Sequence, residues 1–321
     1  MNNNNRIDTS LVLCLAVLLI TNSHFDALYP DPRLGTGGAL GNALFFLLSG
    51  YGLAISLNSG RASGESFFSY WVRRLARIYP VLWLVSLLVI FIRGEWVDMA
   101  LDDWLLKLIW PAQYWFLCAI VFYYALFYWV GKFGERRLLF LIVLLSAAYF
   151  LYYFLILDLN QFSIEDGYFK WLVYFQIMLF GAWLSKRQNL PAPARDASLL
   201  VLCVLVFYGL KVWMNIEQYW KLQFLLHLIL FPFAFFTFGF LSSKSVVNFI
   251  RKIGIYPGAL FLSGLTLEIY LVQVPLVPVI ARQFWSFPIG WFVAILLIPM
   301  LALLAKNTSA YITGIRIFRK T

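Results

Sequence analysis

The 321-residue chain is 62% hydrophobic, 19% aromatic and only 12% charged, against about a quarter charged in an ordinary soluble domain. Such a composition excludes a soluble enzyme, a disordered tail, a collagen and a coiled coil, and apolar runs of membrane-crossing length recur from near one end to near the other. The formal net charge of +10 would point to nucleic acid on a soluble surface, but in a membrane chain it is first sorted by loop.

The apolar runs predict an all-α polytopic membrane bundle of about ten transmembrane helices, at 10–25, 38–58, 78–92, 112–130, 137–157, 169–185, 197–213, 219–241, 259–281 and 285–305. The first run follows a polar start but has no small-x-small cleavage site before Asn22, Ser23 and His24, so a retained helix is expected rather than a signal peptide. With ten spans both termini fall on one side. Placing that side in the cytoplasm gives it 18 of the 25 Lys and Arg residues and four of the fifteen acids. The basic excess then reports orientation and argues against a nucleic-acid partner. Two segments read as interfacial helices: 65–77, with Phe67, Phe68, Trp71 and Leu75 set against arginines, and the Trp-rich stretch 96–110. Cys14, Cys118 and Cys203 stand apart in apolar runs, offering neither a disulfide framework nor a metal ligand set. No internal repeat is visible, which weakens a transporter reading.

Ionisable groups inside spans are costly and usually face a cavity. His24 closes the first span in the string TNSHFD. An imidazole can take a proton from a hydroxyl near neutral pH, and Asp26 is close enough in sequence to orient it; the plain alternative is an interfacial His satisfied by headgroups. His227 reads as a helix-to-helix hydrogen bond or a cavity group, and Glu268 as a residue partnered by an Arg or by His227. In the glycine-rich second run, Ser49 and Gly50 serve either close packing or an opening to a ligand. Arg73, Arg74 and Arg77 stand at the start of the third run beside Tyr79; three arginines within five residues suit phosphate as well as orientation.

These strings in this order resemble the acyltransferase-3 family of bacterial integral-membrane acyltransferases. The likeness rests on the first-span His24, GGALGNALFFLLSG at 37–50, Phe68 with Arg73, Arg74, Arg77, Ile78, Tyr79 and Pro80, WFL at 115–117, LFGAWLSK at 179–186 and LTLEIYLVQVP at 265–275. Two positions depart: Leu13 stands where many members carry Arg, and Gln273 where the family usually has His. The resemblance implies one acyltransferase domain over 1–321, without an appended soluble domain, in the bacterial inner membrane. It implies transfer of an acyl group, most simply acetyl, from cytoplasmic acyl-coenzyme A to a sugar hydroxyl of a surface or lipid-linked polysaccharide. No cofactor is permanently bound; acetyl-coenzyme A is a co-substrate. His24 and Asp26 would be catalytic and Arg73, Arg74, Arg77 and Tyr79 would hold the donor. Ser49, Gly50, Trp115, His227, Glu268, Tyr270 and Gln273 would line the acceptor or oxyanion cavity. Attack on the thioester either directly or through an acyl-enzyme remains open at this stage. So does a second class, a flippase for lipid-linked glycan that moves its cargo without chemistry.

Overall fold

The computed structural model describes residues 7–58, 64–165, 167–187, 193–283 and 287–314. Of the charged residues sorted by loop above, Arg6, Arg61, Asp166, Arg316, Arg319 and Lys320 lie outside the described residues. The chain is all-helical, 80% helix, with no strand among the described residues. The α-helices are α1 (Ser10–Ser23), α2 (Gly38–Asn58), α3 (Phe67–Arg93), α4 (Leu101–Leu108), α5 (Trp115–Val130), α6 (Glu135–Leu155) and α7 (Phe169–Leu184). They continue as α8 (Pro193–Glu217), α9 (Phe224–Leu228), α10 (Leu230–Leu241), α11 (Lys244–Lys252), α12 (Tyr256–Ser263), α13 (Thr266–Gln283) and α14 (Ile289–Thr313).

Among the described residues each predicted apolar run coincides largely with helix, residues 285 and 286 of the last run lying outside them, but the runs are not equal. Six, within Pro32–Asn58, Phe67–Arg93, Glu135–Leu155, Arg195–Glu217, Trp220–Leu241 and Ile289–Thr313, are long and apolar enough to cross a membrane. The pair α12 and α13, bent by 71°, makes a seventh if taken as one span. α1, α5 and α7 have 14, 16 and 16 residues. At a rise of about 1.5 Å per residue they fall short of a hydrocarbon layer of about 30 Å.

One expectation is corrected. Residues 67–77 are not a separate interfacial helix but the first turns of α3, which runs unbroken through Pro80 for 27 residues. Proline removes one backbone donor and does not end a helix whose apolar faces are packed on both sides of it. About 40 Å long, α3 exceeds the hydrocarbon thickness, so its arginine-bearing start can still project beyond it. The 96–110 stretch is a short 3-10 turn, Glu95–Val97, followed by α4.

The helices cluster into two compact units that interleave along the chain. The first comprises Met1–Ala16, Ala39–Gly64 and Trp129–Leu260. In it α6 packs on α7 and α8 on α10. α2 meets α7 backbone to backbone at Gly50 and Gly181, with Phe46 against Tyr174 at 5.2 Å between ring centroids, and meets α10 through Tyr51 against Phe238 at 5.0 Å. The second comprises Val17–Gly38, Glu65–Tyr128 and Phe261–Thr321. Here α3, α13 and α14 pack on one another. Val17, Phe25, Leu28, Leu265, Ile269 and Ile298 belong to its buried core.

Candidate active site

His24 is the first residue beyond α1, which ends at Ser23, two residues short of where the apolar run suggested the span would end. The chain turns there because Phe25 and Leu28, both buried, are drawn into the second unit's core around the short 3-10 turn Asp26–Leu28. A hydrogen-bonded chain fixes the following loop. Trp291 Nε1 donates to the Tyr29 hydroxyl at 2.9 Å, that hydroxyl donates to Asn22 Oδ1 at 2.6 Å, and Asn22 Nδ2 donates to the carbonyls of Leu34 and Thr36, each at 2.9 Å. Such a network, with every member partnered, holds its backbone in one arrangement. Asn22 was visible as a neighbour of His24 in sequence; Tyr29 and Trp291 gave no signal, because their partners are fixed only by folding.

The His24 ring stands edge-on to Tyr270 of α13, centroids 6.1 Å apart. Tyr270 in turn meets Phe116 at 5.2 Å and Tyr114 at 6.0 Å. The structure therefore brings His24 and Tyr270 together, as the sequence grouped them, and adds Tyr114. Trp115 opens α5 half-buried beside Phe116. No hydrogen bond links Asp26 to His24 among the described residues, so Asp26 acts on the imidazole through its charge. Burial pushes the His24 imidazole below its ordinary 6.5, and the opposing pull of Asp26 offsets only part of this. The ring is thus neutral at neutral pH, as a proton acceptor must be.

Gln273 lies one helical turn beyond Tyr270, on the same side of α13. It is fully buried, and neither its amide oxygen nor its amide nitrogen has a hydrogen-bond partner among the described residues. A buried amide without partners is costly unless something else completes it. Glu268, at the start of α13, is buried and within electrostatic reach of Lys306 and Arg77. Its alternative partner, His227, is taken elsewhere. In the first unit the Tyr149 hydroxyl and His227 Nδ1 lie 3.1 Å apart, and His227 Nε2 stands 3.5 Å from Glu165. Burial alone would raise the Glu165 carboxyl, but the facing His227, with Lys170 and Lys211, holds it below the ordinary carboxylate range. His227 is a buried structural link, so its placement in a substrate cavity gains no support.

Two further assignments change. Gly50 is not open to a ligand: a Cβ there would lie 1.7 Å from the carbonyl oxygen of Met178. Ser49 stays half-buried on α2 in the same unit. Tyr79 is not free for a donor, because its hydroxyl donates to the Ile109 carbonyl at 2.7 Å while Trp83 Nε1 donates to Leu108 at 2.9 Å. The pair ties the end of α4 to α3.

The arginines remain in one stripe on α3. Arg73 pairs with Glu65, Arg74 lies over the Tyr70 ring at 5.4 Å, and Arg77 is exposed. They share a unit with His24, Tyr270 and Gln273.

This combination of a half-buried imidazole, unfilled amide hydrogen-bonding groups and a stripe of arginines suits base-assisted transfer from an anionic donor. The model described as "Acyltransferase domain", that of the acyltransferase-3 family, matches residues 11–305. No curated protein and no solved structure matches the chain. With its match running over nearly the whole length and helices apolar enough to cross a bilayer, the chain belongs to the acyltransferase-3 family and is a multi-pass membrane acyltransferase.

Proposed function

We propose that the protein, as a single acyltransferase domain in the bacterial inner membrane, moves an acetyl group from cytoplasmic acetyl-coenzyme A to a hydroxyl of a surface or lipid-linked polysaccharide sugar. The observation that carries this reading is the His24 ring set edge-on to Tyr270, in one unit with Arg73, Arg74 and Arg77. The arginines engage the donor's phosphates by charge-assisted hydrogen bonds, and Arg73 exchanges Glu65 for phosphate as it does so. The acceptor hydroxyl gives its proton to His24 as its oxygen attacks the thioester carbonyl. A carbon–oxygen bond forms and the carbon–sulfur bond breaks. The proton held by His24 then neutralises the coenzyme A thiolate. The Gln273 amide N–H is a suitable donor to the oxygen that becomes negative during attack. We take the transfer to be direct; an acyl-enzyme on a thiol is disfavoured because the three cysteines are buried in apolar helices.

We take the membrane topology to be ten spans with both termini cytoplasmic, counting α1, α5 and α7 with the longer helices. The relative direction of two helices is compatible with this count. Arg77, in the first half of α3, is within electrostatic reach of Glu268 at the start of α13, and Arg93 at the end of α3 reaches the Pro275 carbonyl at 3.5 Å. The two helices thus run the same way, as the third and ninth of ten spans must, and as the second and sixth of seven would.

Two outcomes test the chemistry. Replacing Arg73, Arg74 and Arg77 together by Gln should weaken acetyl-coenzyme A binding by about 10- to 100-fold and remove the rise in melting temperature that the donor gives the purified protein. No donor-induced rise in the unaltered protein contradicts the proposal. In the pH profile, the acid limb of kcat/KM should lie below 6.5, because the neutral imidazole persists to lower pH. Asp26→Asn removes the charge that favours the imidazolium, so its acid limb should move lower still; a move upward contradicts the assignment.

A further inference from the structure

The end of α3 and the second half of α13 enclose, with the chain around α4, a cavity of about 700 Å³. That is within the range of sites for small molecules. Its charged lining is Arg93, Lys107 and Arg282 against a single acid, Glu95. Glu95 is shared by Lys107 and by Arg93, the latter at 3.6 Å. Arg282 has no ion pair among the described residues. The cavity therefore carries an excess of positive charge that its own acid does not cancel.

Two other features narrow the ligand. Ser86 is 4% exposed, lines the cavity, and its hydroxyl has no hydrogen-bond partner among the described residues. It is a polar group kept out of water with nothing to bond, which costs stability unless a ligand fills it. The remaining wall includes Val89, Ile90, Val274, Pro278 and Val279, and Val279 is 44% exposed. Cations beside apolar surface suit an anion attached to a hydrocarbon chain better than a free anion or a neutral polymer. The cavity also adjoins the candidate active site. Tyr114 lines it, and two ring-to-ring steps, 6.0 Å to Tyr270 and 6.1 Å onward to His24, lead to the imidazole.

We propose that this cavity binds the phosphate or diphosphate joining a sugar acceptor to its lipid anchor. The acceptor is then lipid-linked, held by Arg93, Lys107, Arg282 and Ser86 with its sugar toward His24 and its chain along the apolar wall. This inference rests on the acyl-transfer reading and narrows its acceptor. The same phosphate chemistry is offered by bulk anionic phospholipid, which the test separates.

The test uses the purified full chain in neutral detergent, with farnesyl diphosphate, farnesol and inorganic diphosphate as probes and the melting temperature as readout. Farnesyl diphosphate is expected to stabilise the protein more than either other probe. Arg282→Gln, and Lys107→Gln as a second variant should the first not fold, should weaken that binding about tenfold and leave the shift given by acetyl-coenzyme A unchanged. Equal effects of farnesol and farnesyl diphosphate, or no loss in either variant, overturn the inference. So does loss of the farnesyl diphosphate effect in phosphatidylglycerol nanodiscs but not in phosphatidylcholine ones, because bulk lipid is then the occupant. A protein that responds to acetyl-coenzyme A but not to farnesyl diphosphate overturns only this inference; one that does not respond to acetyl-coenzyme A overturns the acyl-transfer reading itself.

Discussion

Replacing His24 by Ala is expected to lower acyl transfer by about 10²- to 10⁴-fold, the usual contribution of a positioned base, while the protein still folds and inserts. Folding should survive because the loop is anchored by Phe25 and Leu28 in the core and by the Trp291–Tyr29–Asn22 hydrogen bonds, none of which uses the imidazole. The lost ring contact with Tyr270 is worth only about 0.5–1.5 kcal/mol. His24→Gln keeps a polar side chain but offers no base, so it should be nearly as inactive as the Ala variant. Product is measured as acylated sugar by mass spectrometry, and donor binding is followed separately by melting temperature. Undiminished transfer in either variant removes His24 from the mechanism. Joint loss of transfer and of acetyl-coenzyme A binding would instead make it a structural residue.

Gly50→Ala and Gly181→Ala should each destabilise the first unit by about 3 kcal/mol or more, at or beyond the upper end of ordinary overpacking. In α2 a Cβ at Gly50 would stand 1.7 Å from the Met178 oxygen, and in α7 a Cβ at Gly181 would stand 2.0 Å from the Leu47 oxygen. Both obstacles are backbone, so no rotamer change relieves them and the helices must separate. Small residues that let helices approach this closely are a recurrent device of membrane bundles. Gly52 is the control, since its added Cβ meets nothing within 4 Å; Gly52→Ala should be neutral or stabilise by about 0.5–1 kcal/mol through the better helix former. Thermal unfolding in detergent distinguishes the three. A Gly50→Ala protein as stable as Gly52→Ala would contradict the described contact.

The helices were legible in the sequence because hydropathy is a local property: among the described residues each apolar run became largely helix. What lay beyond was where local pattern meets a distant partner. The third run reads as 78–92 in sequence, yet α3 begins at Phe67 and passes through Pro80. Tyr79 sat beside three arginines and read as part of their site, but its hydroxyl belongs to Ile109, thirty positions away. The string around Ser49 and Gly50 fits a ligand opening or a packing face equally well until α7 is placed against it. His227 and Glu268 were rare enough to notice, but their separate surroundings, Tyr149 and Glu165 for one and Lys306 and Arg77 for the other, follow from the tertiary arrangement. His24 stood out because unusual polarity in an apolar run is itself a sequence signal, whereas Tyr270 came only with the family resemblance of LTLEIYLVQVP. Tyr114, an aromatic among many, carries no such mark.

Transfer of label from the donor tests the acyl-transfer reading most directly. Purified protein is reconstituted in vesicles with acetyl-coenzyme A labelled in the acetyl group and with a glycolipid fraction from cells lacking the protein. Label should pass into the glycolipid with the unaltered protein and not with His24→Ala. Glycolipid that crosses the bilayer unlabelled while the donor is untouched would contradict the account and make the protein a carrier.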